Sequence, residues 1–421
     1  MTFTLSARDN AMLRGDFGPA TKMAMRIVAR MAEISGASKL LDIVGAHIDS
    51  TVYIGDAGLE FAEGLASLGA KVAVPTSLNV SGVDEYHWQE WAVPSDWARM
   101  AHRQMLAYQS MGTVPTWTCA PYQTEMKPAF GQQIAWGESN AIVYANSVIG
   151  ARTERYPDLF DICCAITGRA PAIGLHLDEN RAGELLIQLE GIPTDLQQRD
   201  DFYPVLGNFV GKVALDKIPV IAGMSVQPDE DQLKAFGAAT ASSGGVAMFH
   251  MVGVTPEAAT LEAALHGRAP VEIITVTMEA LRASRNALNH TDSDSLQLVV
   301  LGSPHFSFAE YKRLVPMLAG KKKNPGVKFL VTSSRAMTQL AEHAGLLAPL
   351  KEFGAQITVD TCILTSPMLP AETNNLMTNS AKFAYYAPGL LAKEIAFGSL
   401  EDCVNSAVLG RITRDESAWN Q

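Results

Sequence analysis

A recurring order constrains the fold of this chain more than any other feature. A short β-rich run comes first, then a turn carrying glycine or polar residues, then an amphipathic helix. Residues 39–44 (KLLDIV) read as a strand followed by Gly45-Ala46-His47-Ile48-Asp49. Residues 57–68 read as a helix with Leu59, Phe61, Ala62, Leu65 and Leu68 on one face, and Gly69 stops it. Residues 71–74 (KVAV) predict the next strand, ahead of Pro75-Thr76-Ser77-Leu78-Asn79. The order returns late in the chain. Residues 296–301 and 327–331 predict strands followed by helices over about 308–318 and 335–344, and 356–359 predicts a strand leading into Asp360-Thr361-Cys362. Strand–helix alternation of this kind implies an α/β fold with parallel-rich sheets flanked by helices. Between the two halves, residues 97–164 read as mostly helical, and a further α/β stretch covers about 172–265 with strands near 185–190 and 219–222. The expected organisation is an α/β segment over 1–95, a helical plus α/β segment over 96–284, and an α/β segment with C-terminal helices over 285–421.

Composition supplies the exclusions. Lys and Arg number 33 against 44 Asp and Glu, a net charge of −11. That balance argues against nucleic acid, because phosphate contacts need clustered cations. The one basic run, Lys321-Lys322-Lys323, precedes Asn324-Pro325-Gly326 and reads as a solvated loop. Apolar stretches are broken by charge, Gly or Pro before the roughly 18 residues of a membrane span. The first residues lack the apolar core of a signal peptide. Five cysteines at 119, 163, 164, 362 and 403 do not form a disulfide spacing, so a reducing, cytoplasmic setting is expected.

In open α/β sheets, ligands bind beyond the carboxyl ends of the strands. His47 and Asp49, Thr76, Ser77 and Asn79, Ser303 and His305, Ser333 and Ser334, and Thr361 and Cys362 all follow expected strands and could line one crevice; the Ser, Thr, Asp and Asn among them are also common turn or cap residues, whereas His and Cys are unusual there. Cys119 lies between Pro115 and Pro121 in a rigid loop. Cys403 follows a capping-box start made by Ser399 and Asp402, where the helix dipole favours a thiolate. Cys119, Cys362 and Cys403 are therefore metal or iron–sulfur ligand candidates, with buried hydrophobes as the alternative. Cys163 and Cys164 sit in an apolar helix and read as core. Glu138, Ser139, Asn140, Asn146 and Ser147 lie on an otherwise apolar helix, so they either bind a polar ligand or stitch helices together. Arg152 is a candidate carboxylate clamp or a salt-bridging residue, and Lys382 a candidate anion ligand or a snorkelling side chain.

Read together, AHID and GDAGLEFAE near 46–63, PTSLNV at 75–80, TCAPY at 118–122, GESNAIVYANSVIGARTERYPD at 137–158, GRAPAIGLHLDENR at 168–181, LGSPHFS at 301–307, DTC at 360–362, MTNSAKFAYYAPG at 377–389 and FGSLEDC at 397–403 resemble the large subunit or domain of the aconitase X family over nearly the whole chain. The resemblance implies an aconitase-like fold and a hydro-lyase dependent on an iron–sulfur cluster, 4Fe-4S or 2Fe-2S. Its small-molecule substrate would be cis-3-hydroxy-L-proline or, as the alternative, mevalonate 5-phosphate; a non-catalytic binding scaffold with structural cysteines is a third reading. Some relatives carry Cys where this chain has Ser303, which leaves Cys119, Cys362 and Cys403 as the expected ligands. The substrate would be held by His47, Asp49, Ser77, Asn79, Glu138, Ser139, Asn140, Asn146, Arg152, His305 and Lys382. The family's small swivelling domain, which carries the catalytic base, is expected on a separate small subunit.

Overall fold

The structure is a computed structural model and describes residues 3–420. In chain order its strands are β1 (Leu40–Asp42), β2 (Ala46–Ile48), β3 (Thr76–Leu78), β4 (Ala135–Trp136), β5 (Arg169–Pro171), β6 (Leu185–Leu189), β7 (Pro219–Ala222), β8 (His250–Met251), β9 (Glu272–Val276), β10 (Leu298–Phe306), β11 (Lys328–Ser333), β12 (Gln356–Val359), β13 (Asn375–Thr378) and β14 (Glu394–Phe397). They form three parallel sheets in the orders β3-β2-β4, β8-β7-β6-β9 and β12-β11-β10-β13-β14. β1 and β5 make a separate antiparallel pair. The α/β expectation therefore holds. No helix among the described residues is long and apolar enough to cross a membrane.

Every strand expected in the second and third sheets is present, as β6, β7, β10, β11 and β12, joined by the unexpected β8, β9, β13 and β14, whereas the first sheet departs from expectation. Residues 39–44 contribute only the short β1, which pairs with β5 rather than entering the parallel sheet, and 71–74 are not strand. The parallel strands are instead β2 and β3, the segments that read as polar turns. The physical reason is burial on both faces: His47 and Ser77 face each other in register and bond at 2.8 Å, so polar side chains satisfy one another inside the sheet. β10 also runs on through the Gly302–His305 segment that reads as a turn. Gly302 takes φ +98°, and its register with β11 shifts between Leu301 and Phe306, the sign of a bulge that only a residue without Cβ adopts cheaply. The stretch 97–164 is less helical than its pattern: a long irregular segment separates the helix Ser95–Ser110 from the helix Ser139–Tyr144, which continues as a π-helical turn, Ala145–Ile149.

One apolar cluster runs from Met12 to Trp419 and joins the first two sheets to the inner face of the third; a second cluster, with Leu314, Phe329, Phe353 and Cys403, covers the third sheet's outer face. The second and third sheets are also tied by charge. On the helix Glu230–Ser243, Lys234 Nζ lies 3.1 Å from Asp231, bonds Glu310, and donates to the His305 carbonyl at 3.4 Å. Glu310 in turn closes the capping box of Ser307 on the helix Phe308–Leu318, accepting the Ser307 N–H at 2.7 Å. Lys234→Met should leave the buried Glu310 carboxylate without its cation, a loss of about 3–5 kcal/mol, while Asp231 keeps Arg313 at 2.8 Å. Urea unfolding followed by circular dichroism checks this, and an unchanged midpoint would refute it.

Candidate active site

The site forms where the carboxyl ends of β2 and β3 meet the 118–122 loop, the start of the helix Ser139–Tyr144 and three segments of the third unit. β2 and β3 run side by side, so His47 and Ser77 pair, and two residues on Asp49 and Asn79 emerge together. Asn79 Nδ2 donates to Asp49 Oδ1 and, at 3.2 Å, to Glu138 Oε2. Glu138 caps the helix that follows it; its Oε1 accepts from Asn140 Nδ2 at 2.6 Å and from Lys382 Nζ at 2.5 Å. Asn140 reaches the cysteine loop as well, donating to the Cys119 carbonyl at 3.1 Å and accepting from the Tyr122 hydroxyl at 2.9 Å. The His305 N–H donates to Cys119 Sγ at 3.2 Å, while the His305 ring bonds Thr118 at 3.2 Å and the Thr361 carbonyl, next to Cys362, at 3.0 Å. Ser139 Oγ lies 3.5 Å from Glu138 Oε1.

This network unites His47, Asp49, Ser77, Asn79, Cys119, Glu138, Ser139, Asn140, His305, Cys362 and Lys382. His47, Asn79, Asn140 and His305 are buried walls, whereas Asp49, Ser139, Cys362 and Lys382 are half-buried and form the mouth. His47 Nε2 is fully buried and has no partner among the described residues. Gly137 is required by closeness: a Cβ there would stand 2.7 Å from both Asp161 Oδ2 and Asp49 Cβ.

Three of the residues expected here lie elsewhere. Asn146 spends its side chain on the Thr153 backbone, the Ala247 carbonyl and Arg181, so it stitches the second sheet to the first. Arg152 is ion-paired with Asp178 and Glu257, both at 2.9 Å, beside Arg181, and lies over the Phe130 ring. Cys403 does begin a capped helix, but its thiol is fully buried in the apolar cluster on the outer face of the third sheet. Burial pushes that thiol well above its ordinary range, with Asp402 and Asp200 adding to the rise, which overrides the helix dipole. Among the described residues no group of three or more His, Cys, Asp or Glu side chains is disposed to hold a metal ion. The trio Cys119, Cys362 and Cys403 is therefore not assembled; Cys119 and Cys362 are the two thiols that share the pocket.

Electrostatics sort the pocket's groups. Burial opposes ionisation of Glu138, but Lys382 and then the Asn140 bonds outweigh it and hold the carboxylate down at about 2. Burial pushes Cys119 up to about 12 against the pull of Lys382, and raises Cys362 against its backbone bond to Leu364 and Lys382. Burial lowers His47 to about 3 and His305 to about 4, so both imidazoles are neutral at pH 7. Asp161, pushed up to about 7 by burial, accepts the Asp49 N–H at 2.6 Å and lies under the mouth. Sequence reasoning passed over Asp161 because it opens an apolar helix, and only its place four residues after the RTERYP turn hinted at a polar role.

The first and third parallel sheets meet at a site that sets Cys119 and Cys362 beside Lys382 and two neutral histidines, an aconitase-like architecture. The chain belongs to the aconitase X family: the family's first domain matches residues 2–179, its second domain 183–286 and its third domain 296–409. It is 48% identical over 419 residues to cis-3-hydroxy-L-proline dehydratase of Pseudomonas aeruginosa, covering 99% of this chain and 72% of that protein. It is 46% identical to the enzyme of the same name from Hypocrea jecorina, covering 97% of this chain and 69% of that one. At 33% identity it resembles the phosphomevalonate dehydratase large subunit of Methanocaldococcus jannaschii over 94% of this chain and 98% of that subunit. The solved structure of Thermococcus kodakaraensis aconitase X in its holo-form superposes with a TM-score of 0.85 at 31% identity, covering 96% of this chain and all of that one.

The position of Lys382 beside both thiols generates a direct expectation. Lys382→Met removes the cation that favours the thiolates, so the pH midpoint for alkylation of Cys362 by iodoacetamide should move upward. A midpoint that stays put would show that Lys382 does not govern the thiols.

Proposed function

We propose that this chain is the substrate-holding large subunit of a hydro-lyase that dehydrates cis-3-hydroxy-L-proline. The observation that carries the reading is the 48% and 46% identity, over nearly all of this chain, to two proteins named for that reaction. The site agrees with it in charge. Lys382 is the cation of the network described above, and Glu138 already occupies it. A phosphorylated substrate such as mevalonate 5-phosphate would call for clustered cations, so that reading ranks second, in keeping with its more distant relatives at 33% identity. A zwitterionic amino acid suits the pocket better: Lys382 offers a donor to its carboxylate, and Glu138 an acceptor for its ammonium group.

Family membership implies an iron–sulfur cluster. Two thiols fit such a group and a third does not: Cys119 and Cys362 lie near each other and near the Lys382 cation, and Cys403 is enclosed in apolar packing. Cys119 and Cys362 would hold the cluster, which when bound supplies a Lewis acid for the substrate's hydroxyl. The chain's own residues do the rest. Asn140 fixes the Cys119 loop and Glu138 together, the His305 N–H orients the Cys119 sulfur, and the buried walls exclude water. The partner is a small subunit bearing the base, a reading supported by the match to 98% of a protein named a large subunit. Five unpaired cysteines support a reducing, cytoplasmic setting.

The complex with its small subunit, reconstituted anaerobically, should dehydrate cis-3-hydroxy-L-proline in preference to mevalonate 5-phosphate. Cys119→Ala and Cys362→Ala should lose bound iron and turnover, and Cys403→Ala should retain both. Iron lost from the Cys403 variant but kept in the other two would refute the ligand assignment. Turnover of the phosphate ester alone would refute the substrate.

A further inference from the structure

Four carboxyl groups, those of Asp49, Glu138, Asp158 and Asp161, crowd the mouth of the pocket. Among the described residues no Lys or Arg pairs with Asp49, Asp158 or Asp161, and Lys382 is bound to Glu138. The groups are not equivalent. Asn79 bridges two of them through its amide, Asp49 on one side and Glu138 on the other. Glu138 has the cation, so it carries the negative charge. Asp49 has only the Asn79 amide, lies packed over Gly137 beside Asp161, and is the less buried of the bridged pair. Two carboxyls so close and so differently partnered separate into one base form and one acid form.

We infer that Asp49 is the general acid of the dehydration: its carboxyl proton passes to the leaving hydroxyl oxygen, and that group departs as water. This rests on the hydro-lyase reading above. As the carbon–oxygen bond breaks, the electron pair of the neighbouring carbon–hydrogen bond becomes the new carbon–carbon double bond, and its proton goes to the base on the small subunit. Asp49, left ionised, regains a proton from solvent at the mouth while the base returns one. The net change is substrate to unsaturated acid plus water, with no other reactant.

The groups facing Asp49 agree with this role. Burial raises the Asp49 carboxyl well above the ordinary carboxylate range, the charges of Glu138, Asp158 and Asp161 raise it further, and Asn79 alone opposes. His47, on the same strand, is neutral and contributes no compensating charge. Lys382 acts on this group through Glu138, which it keeps ionised. A raised acid is active while protonated, so turnover should be full below the Asp49 pKa and fall as pH rises through it.

Asp49→Asn keeps shape and removes the proton. In the anaerobic complex it should lower kcat by about 10²-fold or more with KM little changed, and it should abolish the basic limb of the pH profile. Asp49→Glu should recover part of kcat. Independently of activity, the infrared difference between this chain and its Asp49→Asn variant at pH 7 should show a protonated carboxylic-acid band belonging to Asp49. A kcat for Asp49→Asn within about threefold of the parent, or no such band in the parent, overturns the proposal. A parent complex that fails to dehydrate cis-3-hydroxy-L-proline would instead sink the substrate reading. The band would then decide on Asp49 by itself: present, Asp49 is a held acid; missing, it is not.

Discussion

Lys382 and Glu138 lie 244 residues apart in the chain, and their ion pair is the contact around which the pocket is arranged. Lys382 belongs to the helix Ala381–Leu391 of the third unit; Glu138 begins a helix of the first. Neither group would be buried as a charge without the other, since a lone buried ion is strongly disfavoured. Their pairing holds the third unit's thiol and histidine segments over the ends of β2 and β3. It also fixes Asn140 and Asn79, each of which spends a side-chain donor on Glu138. The Cys119 loop is held by Asn140, so its geometry descends from the same pair.

The pair sets the chemistry as well as the shape. By occupying the cation, Glu138 leaves the remaining carboxyls to repel one another, which drives Asp49 toward its acid form. The same cation acts on Cys119 and Cys362, opposing the rise that burial imposes. One positive charge thus divides a crowded acidic pocket into an ionised carboxylate and a held proton, and tempers the rise that burial imposes on two thiols. Lys234 performs a parallel structural task behind the site, where it bonds Glu310 and the His305 carbonyl and so steadies the segment that presents its N–H to Cys119.

Much of this was legible in the sequence, and unevenly. Strands β6, β7, β11 and β12 and the capping box at Ser399 follow from local patterning, because apolar periodicity and cap chemistry act within a few residues. The first sheet was misplaced by several residues, since β2 and β3 carry polar side chains that pair only across strands. The polar residues of the pocket were largely named, but local reasoning could not tell Asn140, which reaches the pocket, from Asn146, which bonds backbone on its far side, though both lie on one polar-dotted helix. Arg152 and Cys403 misled for the same reason. Glu257 and Asp178 claim the first, and apolar packing claims the second.

By itself the sequence determined the alternation of strand and helix, hence parallel sheets, along with the family and the residue types that serve the site. Those properties depend on short-range spacing and on motifs that survive as strings. Only the tertiary structure decided which thiols lie near Lys382, which carboxyl is paired with that cation and which is left without one. Charge interactions and burial depend on distance in space, and the residues that settle them here, 49, 79, 138 and 382, are brought together by folding across most of the chain.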